Sequence, residues 1–160
     1  MRHRRHKICL WIAILSFGAL VFFGSAPTVG AAQPACTPTR ADDLGPFYKA
    51  NTPERASTGR GLVISGTVRS VSGCGPLPGA QIEWWAANLR GEYDEAHRAT
   101  QHADAAGRYQ YETDFPGRYP GRPLHLHVRV TAPGHRTLIT QLYPGEGQTS
   151  LATDFVLIHE

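Results

Sequence analysis

Two histidines separated by one residue give this sequence its clearest chemical signal. His125 and His127 lie in residues 124–130, where apolar residues alternate with the two histidines and Arg129. Such alternation predicts a β-strand, and residues two apart on a strand share one face, about 6–7 Å apart. Neutral imidazole is the commonest metal ligand in proteins. The pattern therefore predicts two imidazoles on one face of a strand, close enough to bind a single cation.

Tyrosines beside glycines are the candidates for the remaining ligands. Tyr93 stands in a Gly-Glu-Tyr-Asp turn and Tyr119 in a Gly-Arg-Tyr-Pro turn. A free tyrosine has a pKa of about 10 and is neutral at ordinary pH, but a highly charged cation can hold it as phenolate. Hard phenolate oxygen suits ferric iron better than zinc. Two phenolates and two imidazoles around Fe(III) would leave one net positive charge and open positions, as a Lewis-acid site requires.

The first 31 residues predict a secretory signal peptide. Residues 1–7 carry four basic side chains, residues 8–23 are apolar and uncharged, and small residues follow up to Ala31 and Ala32. This order is typical of an exported protein, with cleavage after Ala31 or Ala32. The alternative is an uncleaved membrane anchor, because the apolar run is near the lower limit of about 17 residues for a span. The predicted location is periplasmic or extracellular, with membrane attachment only if the leader is retained.

Without this leader the chain is close to neutral. The whole sequence has 16 Lys and Arg, 13 Asp and Glu, and a formal net charge of +3. Four of the basic residues lie in residues 1–7, so twelve remain against thirteen acidic ones, a net charge of −1. A nucleic-acid-binding protein needs a clustered basic face. The composition therefore argues against nucleic acid as a partner.

The cysteines predict one disulfide bond. Cys9 lies in the leader, which leaves Cys36 and Cys74. An even pair in an exported chain favours a disulfide, which here would tie the N-terminal arm to the first hairpin. The alternative is two free thiols, which are uncommon outside the cytoplasm.

The rest of the chain predicts one β domain. Residues 32–61 have no clear periodicity and read as an arm, and residues 62–160 read as the domain. Strand-like runs separated by Gly and Pro turns occur at residues 62–69, 80–87, 109–113, 124–130, 137–142 and 154–158. No helical pattern follows the leader. Short strands between such turns are typical of an all-β sandwich or barrel, and about 128 residues suit a single core.

Several motifs occur together, in order, between Asp43 and Gln141. They include Asp-Leu-Gly-Pro-Phe-Tyr at 43–48, Pro-Gly-Ala-Gln-Ile-Glu-Trp-Trp at 78–85, Gly-Glu-Tyr at 91–93, Pro-Gly-Arg-Tyr-Pro at 116–120 and Arg-Pro-Leu-His-Leu-His at 122–127. Together they resemble the intradiol ring-cleavage dioxygenases, the family that includes the catechol and protocatechuate dioxygenases. The resemblance implies a single antiparallel, prealbumin-like β-sandwich.

The resemblance also implies a cofactor, an activity and roles for named residues. A non-haem ferric iron would be bound by Tyr93, Tyr119, His125 and His127. Tyr119 would be the ligand that leaves when substrate binds, Arg122 would steady the negatively charged substrate, and Gln141 would line the pocket. The partners would be a small catechol and O2. Both oxygen atoms of O2 would be inserted between the two hydroxyl-bearing carbons of the catechol, which gives a muconate-type diacid. Tyr48 either lines the substrate mouth or staples the arm to the sandwich.

Three departures from the family pattern qualify this expectation. Trp85 stands where many members have histidine, so that position is not carried over. The long N-terminal helical domain of the catechol-type enzymes is missing, so their mode of dimerisation is not carried over to a homo-oligomer of this chain. Residues 94–103 read as a brief loop, which predicts an open site.

Two other functions remain compatible with the sequence. One is an exported prealbumin-like sandwich used for binding or adhesion, without catalytic iron, because fold alone does not define function. The other is a zinc or copper protein that uses only the histidine pair. The four histidines without a partner at ligand spacing are expected at the surface: His97, His102, His135 and His159.

Overall fold

Residues 36–160, which the computed structural model describes, form two four-stranded β-sheets. The signal peptide predicted for residues 1–31 lies outside the described residues. Eight strands follow in chain order: β1 (Leu62–Ser70), β2 (Gln81–Ala86), β3 (Arg98–His102), β4 (Arg108–Thr113), β5 (Leu126–Thr131), β6 (Leu138–Leu142), β7 (Ser150–Ala152) and β8 (Phe155–Leu157). No helix occurs between residues 36 and 160. The all-β sandwich predicted from the sequence is confirmed.

Among residues 36–160 there is no helix with the length and apolar character needed to cross a bilayer.

The two sheets differ in how their strands pair. One sheet has the order β3-β2-β5-β6, and every pairing in it is antiparallel. The other is built around β1, which pairs antiparallel with β4 and parallel with the short β7 and β8. The parallel pairings have no signal in the sequence, because three-residue strands are too short to show a period.

Alternate residues of β2 and β5 enter the core between the sheets. Trp84 is 1% exposed and stacks on Tyr111 of the opposite sheet, with ring centroids 4.5 Å apart and planes within 9°. Val128 and Val130 are fully buried beside it. Because successive strand residues point to opposite faces, the residues between these core positions must point outward. Those outward positions carry the histidines.

Strand β3 corrects one expectation. Residues 94–103 were expected to form a brief loop, but five of them form β3 (Arg98–His102), and every residue of β3 pairs with β2. The sequence Arg-Ala-Thr-Gln-His has little β-propensity of its own. The strand is held by tertiary contacts, since Thr100 also bridges to Glu54 of the arm.

The arm, residues 36–61, runs along the edges of the sandwich. Its backbone donates from Thr39 to Val156 O (3.1 Å), from Asp42 to Ile139 O (2.9 Å) and from Arg55 to Thr100 O (3.0 Å). These bonds occupy edge groups of strands that would otherwise be open to pairing with another chain. The arm is thereby fixed along strand edges of both sheets.

The predicted disulfide is confirmed. Cys36 and Cys74 are bonded, with their Cα atoms 5.3 Å apart and a sequence separation of 38. The bond attaches the start of the arm to the turn after β1.

Candidate active site and metal centre

Strand register places three side chains in a row on the outer face of the sheet. Trp85 of β2 is opposite His127 of β5, and His127 is opposite Gln141 of β6. Directly opposite residues share a face of the sheet. His125 lies just before β5 and has the same parity as His127. The predicted placement of both imidazoles on one face therefore follows from the register.

The two imidazoles and one phenol converge. His125 Nε2 lies 3.1 Å from His127 Nε2 and 3.1 Å from Tyr93 Oη. Both histidines are buried. His125 Nδ1 lies 2.8 Å from the carbonyl oxygen of Pro123. Because a carbonyl can only accept, Nδ1 carries the proton, and the lone pair of His125 Nε2 faces the cluster, as is usual for a metal-binding histidine.

The loops that carry the two tyrosines pack backbone against backbone. Gly91 has φ of +81°, and a Cβ there would lie 2.1 Å from the carbonyl oxygen of Arg118. The Gly117 amide donates to Ala87 O at 3.0 Å. Only glycine fits at position 91, so this contact fixes the loop of Tyr93 against the loop of Tyr119.

Phe47 of the arm completes the aromatic wall. Its ring stacks on Tyr93, with centroids 4.3 Å apart and planes within 14°, and meets the edge of Tyr119 at 5.4 Å. The rings of Tyr93 and Tyr119 are 5.8 Å apart. Sequence reasoning missed Phe47. Its only signal was its place in the motif at 43–48, in which Tyr48 alone was given a role.

Arg122 and Gln141 are brought together as predicted. Arg122 Nη2 donates to Gln141 Oε1 at 2.8 Å, and Gln141 Nε2 donates to the carbonyl oxygen of Asp43 at 2.8 Å. The Arg122 amide donates to Tyr119 O at 3.1 Å, so a turn joins Arg122 to Tyr119. Arg122 is exposed at the mouth of the cluster.

Tyr48 is linked to the histidine pair through Trp85. Its hydroxyl donates to Glu83 Oε1 at 3.0 Å, and its ring meets Trp85 at 5.3 Å. Trp85 in turn stacks on His127, with centroids 4.9 Å apart and planes within 5°. These contacts favour the stapling role for Tyr48. A substrate contact for Tyr48 stays a prediction.

His97 is not at the surface, contrary to expectation. Its side chain is 13% exposed, with Nδ1 2.7 Å from Asp94 Oδ1 and Nε2 3.2 Å from Asp114 Oδ2. Asp94 also accepts from Asn88 Nδ2 at 2.9 Å. The network spans the loop on both sides of Tyr93, so it holds that loop closed. His102 and His159 are exposed as expected, and His135 is half-buried, with Nε2 3.0 Å from Ser70 Oγ.

Burial shapes the electrostatics of the cluster. Burial, with a smaller contribution from Tyr119, raises the pKa of Tyr93 to about 12. Burial, followed by the charge of His125, lowers the pKa of His127 to about 4. The protein alone therefore keeps His127 neutral, with a free lone pair, and keeps Tyr93 protonated. A cation at the cluster would be needed to hold Tyr93 as phenolate.

These residues fit a metal ion. Donor atoms that share one cation at about 2.0–2.1 Å stand about 3 Å apart, which matches the 3.1 Å separations of His125 Nε2 from Tyr93 Oη and from His127 Nε2. Residues 36–160 contain no group of three or more His, Cys, Asp or Glu suited to a metal. A cation here would therefore depend on tyrosine oxygen, which favours a hard ion such as ferric iron over zinc.

Known proteins share this fold and sequence pattern. The chain is 32% identical to the dioxygenase domain of a dioxygenase–carbohydrate-binding protein fusion from Streptomyces sp. SirexAA-E, with a TM-score of 0.70 over 78% of this chain and 100% of that one. It is 25% identical to an intradiol ring-cleavage dioxygenase from Tetranychus urticae, with a TM-score of 0.64 over 69% and 70%. It is also 32% identical to catechol 1,2-dioxygenase of Candida albicans over 140 residues, which are 64% of this chain and 46% of the relative. No family model matches the chain.

The fold and the site define an all-β domain with a cluster of two tyrosines and two histidines. With the full-length match to a dioxygenase domain, they show that the chain belongs to the intradiol ring-cleavage dioxygenase family. The resemblance drawn from the motifs is confirmed. The chain spans about half the length of the curated relatives it matches.

Proposed function

We propose that this protein is a non-haem ferric dioxygenase that opens the ring of a catechol between its two hydroxyl-bearing carbons. The observation that carries the proposal is the convergence on His125 Nε2, which lies 3.1 Å from Tyr93 Oη and 3.1 Å from His127 Nε2, with the Tyr119 ring 5.8 Å from that of Tyr93. Intradiol cleavage is supported by membership of the family. The muconate-type product is the further chemical expectation for a catechol treated this way.

Four residues would hold the iron: Tyr93, Tyr119, His125 and His127. Ferric iron bound there supplies Lewis-acid activation of a catechol toward O2. His125 is pre-oriented by its bond to Pro123, so its Nε2 needs no rearrangement. Tyr119 is joined by a turn to exposed Arg122, whose amide donates to Tyr119 O at 3.1 Å. That position suits a side chain that must release and accept a proton.

The chain's own groups provide the acid–base and electrostatic parts of the reaction. If bound iron holds Tyr119 as phenolate, Tyr119 Oη would take up a proton from a catechol hydroxyl and become neutral, and the guanidinium of Arg122 would neutralise the negative charge left on the substrate. A fixed cation beside a developing anion is worth more in a water-poor site than in water. Phe47 and Gly45 limit water on the arm side. Gly45 has φ of +71°, and a Cβ there would come within 2.9 Å of His127 Cε1.

Export is proposed with this activity. The support is the N-terminal pattern of a basic start, an apolar run and a small-residue exit, together with the Cys36–Cys74 disulfide. Disulfides persist in oxidising compartments. The substrate would then be a catechol encountered outside the cytoplasm. N-terminal sequencing of the protein from the secreted fraction tests this location.

Iron loading followed by spectroscopy tests the metal centre. Ferric iron bound to tyrosinate gives a visible charge-transfer band, so the loaded protein should be burgundy and should consume O2 with catechol, protocatechuate or hydroxyquinol. A colourless protein with full iron occupancy would exclude this ligand set. Iron binding and colour without O2 uptake on any of the three would support a binding role instead.

Tyr119→Phe tests the proposed leaving ligand. We expect a shifted visible band and turnover slowed by about 10²-fold or more, since general acid–base groups contribute on that order. The matched control is Tyr109→Phe, which removes a hydroxyl that donates to Thr153 O in the other sheet. The control should keep both band and turnover. Unchanged colour and activity in Tyr119→Phe would remove Tyr119 from the centre.

A further inference from the structure

A hydroxyl that the sequence did not single out reaches the proposed anion-binding group. Tyr143 follows β6 and has the same parity as Gln141, so both side chains point to the outer face. Tyr143 Oη lies 3.0 Å from Gln141 Oε1 and 2.8 Å from Asp42 Oδ2. The ring of Tyr143 lies 6.2 Å from that of His125, and about half of Tyr143 is exposed. Tyr143 thus stands at the open side of the cluster.

The amide oxygen of Gln141 has a hydrogen-bond donor at each of its two lone pairs. A carboxamide oxygen has two lone pairs, and here one faces Arg122 Nη2 at 2.8 Å and the other faces Tyr143 Oη at 3.0 Å. The amide nitrogen donates to Asp43 O at 2.8 Å. Rotating the amide would turn NH2 toward the guanidinium, donor against donor. Three partners therefore fix one orientation, in which Gln141 holds Arg122.

Tyr143 has one proton for two acceptors. Burial and the hydrogen bond to Asp42 raise the pKa of Tyr143, so the hydroxyl keeps its proton. That proton is shared between the Asp42 carboxylate and Gln141 Oε1. Asp42 and Asp43 both belong to the arm, whose path is fixed by the Asp42 amide bond to Ile139 O at 2.9 Å. The arm thereby reaches Arg122 through Tyr143 and Gln141.

We propose that Tyr143 is a positioning residue that fixes Arg122 for the anionic substrate by orienting Gln141. The proposal rests on the proposed function, because it assigns the substrate side of that same site. Beside these residues lies a cavity of about 360 Å³ that Tyr143 and Gln141 line together with Asp42 and Arg40.

The relay proposed here runs from Tyr143 through Gln141 to Arg122. Binding of 4-nitrocatechol to the iron-loaded protein tests it. We expect Tyr143→Phe to raise the Kd of 4-nitrocatechol and the KM for catechol about three- to tenfold, the range for one lost hydrogen bond, with kcat changed by less than about twofold. Iron content and the visible band should stay the same, since no ligand changes. Tyr109→Phe, which also loses one hydroxyl, should change neither constant.

A double-mutant cycle separates the relay from a direct contact. Because Tyr143 acts through Gln141, Tyr143→Phe should have almost no effect in a Gln141→Ala background. Additive effects would mean that Tyr143 acts on the substrate or on Arg122 directly, rather than through Gln141, and would overturn the relay. An unchanged Kd in Tyr143→Phe, or an equal rise in Tyr109→Phe, would also overturn it.

A crystal structure of Tyr143→Phe reads the relay without substrate. The relay requires Gln141 Oε1 and the Arg122 guanidinium to shift or lose order in the variant. An unmoved Arg122 contradicts it. If the wild-type iron protein binds no catechol at all, the proposed function fails, and the crystal structure alone then decides the relay.

Discussion

At the scale of the residue, His127 is defined by the rings around it. Trp85 stacks on one side of the imidazole at 4.9 Å, Tyr93 lies at 6.0 Å, and Gly45 passes close to Cε1. This enclosure explains the pKa of about 4 for His127. It also gives Trp85 a role in the site, since its ring covers one face of the imidazole. A flat apolar ring fixes the plane of His127 without competing for a metal ion.

Replacing Trp85 tests this enclosure. Trp85 is 2% exposed, so Trp85→Ala should lower the free energy of unfolding by about 3–5 kcal/mol, as is typical for a buried aromatic truncated to alanine. Trp85→Phe keeps a stacked ring and should lose distinctly less. Denaturant unfolding of both variants measures the difference. Equal losses in the two variants would show that stacking on His127 is not what position 85 contributes.

At the scale of the element, turns and loops decide the geometry of the centre. His97 and Asp94 close the loop of Tyr93, and the packing of Gly91 on Arg118 O joins it to the loop of Tyr119. The turn between β3 and β4 works the same way farther from the site. Asp104 Oδ1 accepts from the amides of Ala106 and Arg108, both at 2.8 Å. One carboxylate thus defines a whole turn.

Asp104→Asn should give a stability loss that depends on pH. The backbone bond from Arg108, followed by its side chain, lowers the pKa of Asp104 below its ordinary value of 3.8. A lowered carboxyl pKa stabilises the folded state above the ordinary value, and this stabilisation is lost as pH falls through the lowered one. Thermal unfolding should therefore show a lower Tm for the variant at pH 7 and convergence with wild type in strong acid.

Asp104→Asn also removes one negative charge from the protein, and this loss of charge needs its own control. Glu160→Gln removes one negative charge from an exposed position at the last residue of the chain, and its Tm should follow wild type at both pH values. A Tm difference for Asp104→Asn that is the same at pH 7 and in strong acid would contradict the role given to ionised Asp104.

At the scale of the whole molecule, the arm joins the fold to the site. It contributes Phe47 to the aromatic wall, Gly45 over His127, and the Asp43 carbonyl to Gln141. Its hydrogen bonds to strand edges and the Cys36–Cys74 disulfide hold it in place. The sandwich alone would leave this face of the sheet open to water. The site is therefore a product of two chain segments far apart in sequence.

Removing the disulfide tests the role of the arm. A Cys36→Ser/Cys74→Ser variant should lose about 2–4 kcal/mol of stability, the usual range for one disulfide. In this variant the backbone amides of residues 36–48 should exchange hydrogen faster than in the wild type, by a larger factor than the amides of β1 and β2. Differential scanning calorimetry and hydrogen exchange measure the two effects. Unchanged exchange in the arm would show that its edge hydrogen bonds suffice.

The sequence by itself determined the class of fold, the disulfide and the residue types at the centre. Local signals carry these features: period-two alternation, Gly and Pro turns, an even pair of cysteines, and tyrosines beside glycines near the His-x-His pair. Each depends on residues close together in the chain. Strand β3 lacked such a signal, because Arg98–His102 forms a strand only through its partners β2 and Glu54.

Only the tertiary structure decided which side chains meet. The register of β2, β5 and β6 aligned Trp85, His127 and Gln141, and register is set by the packing of whole sheets. The course of the arm brought Phe47 to Tyr93 and Asp42 to Tyr143, across separations that no local pattern encodes. Burial then decided protonation, because a pKa responds to the surroundings of a group rather than to its neighbours in sequence.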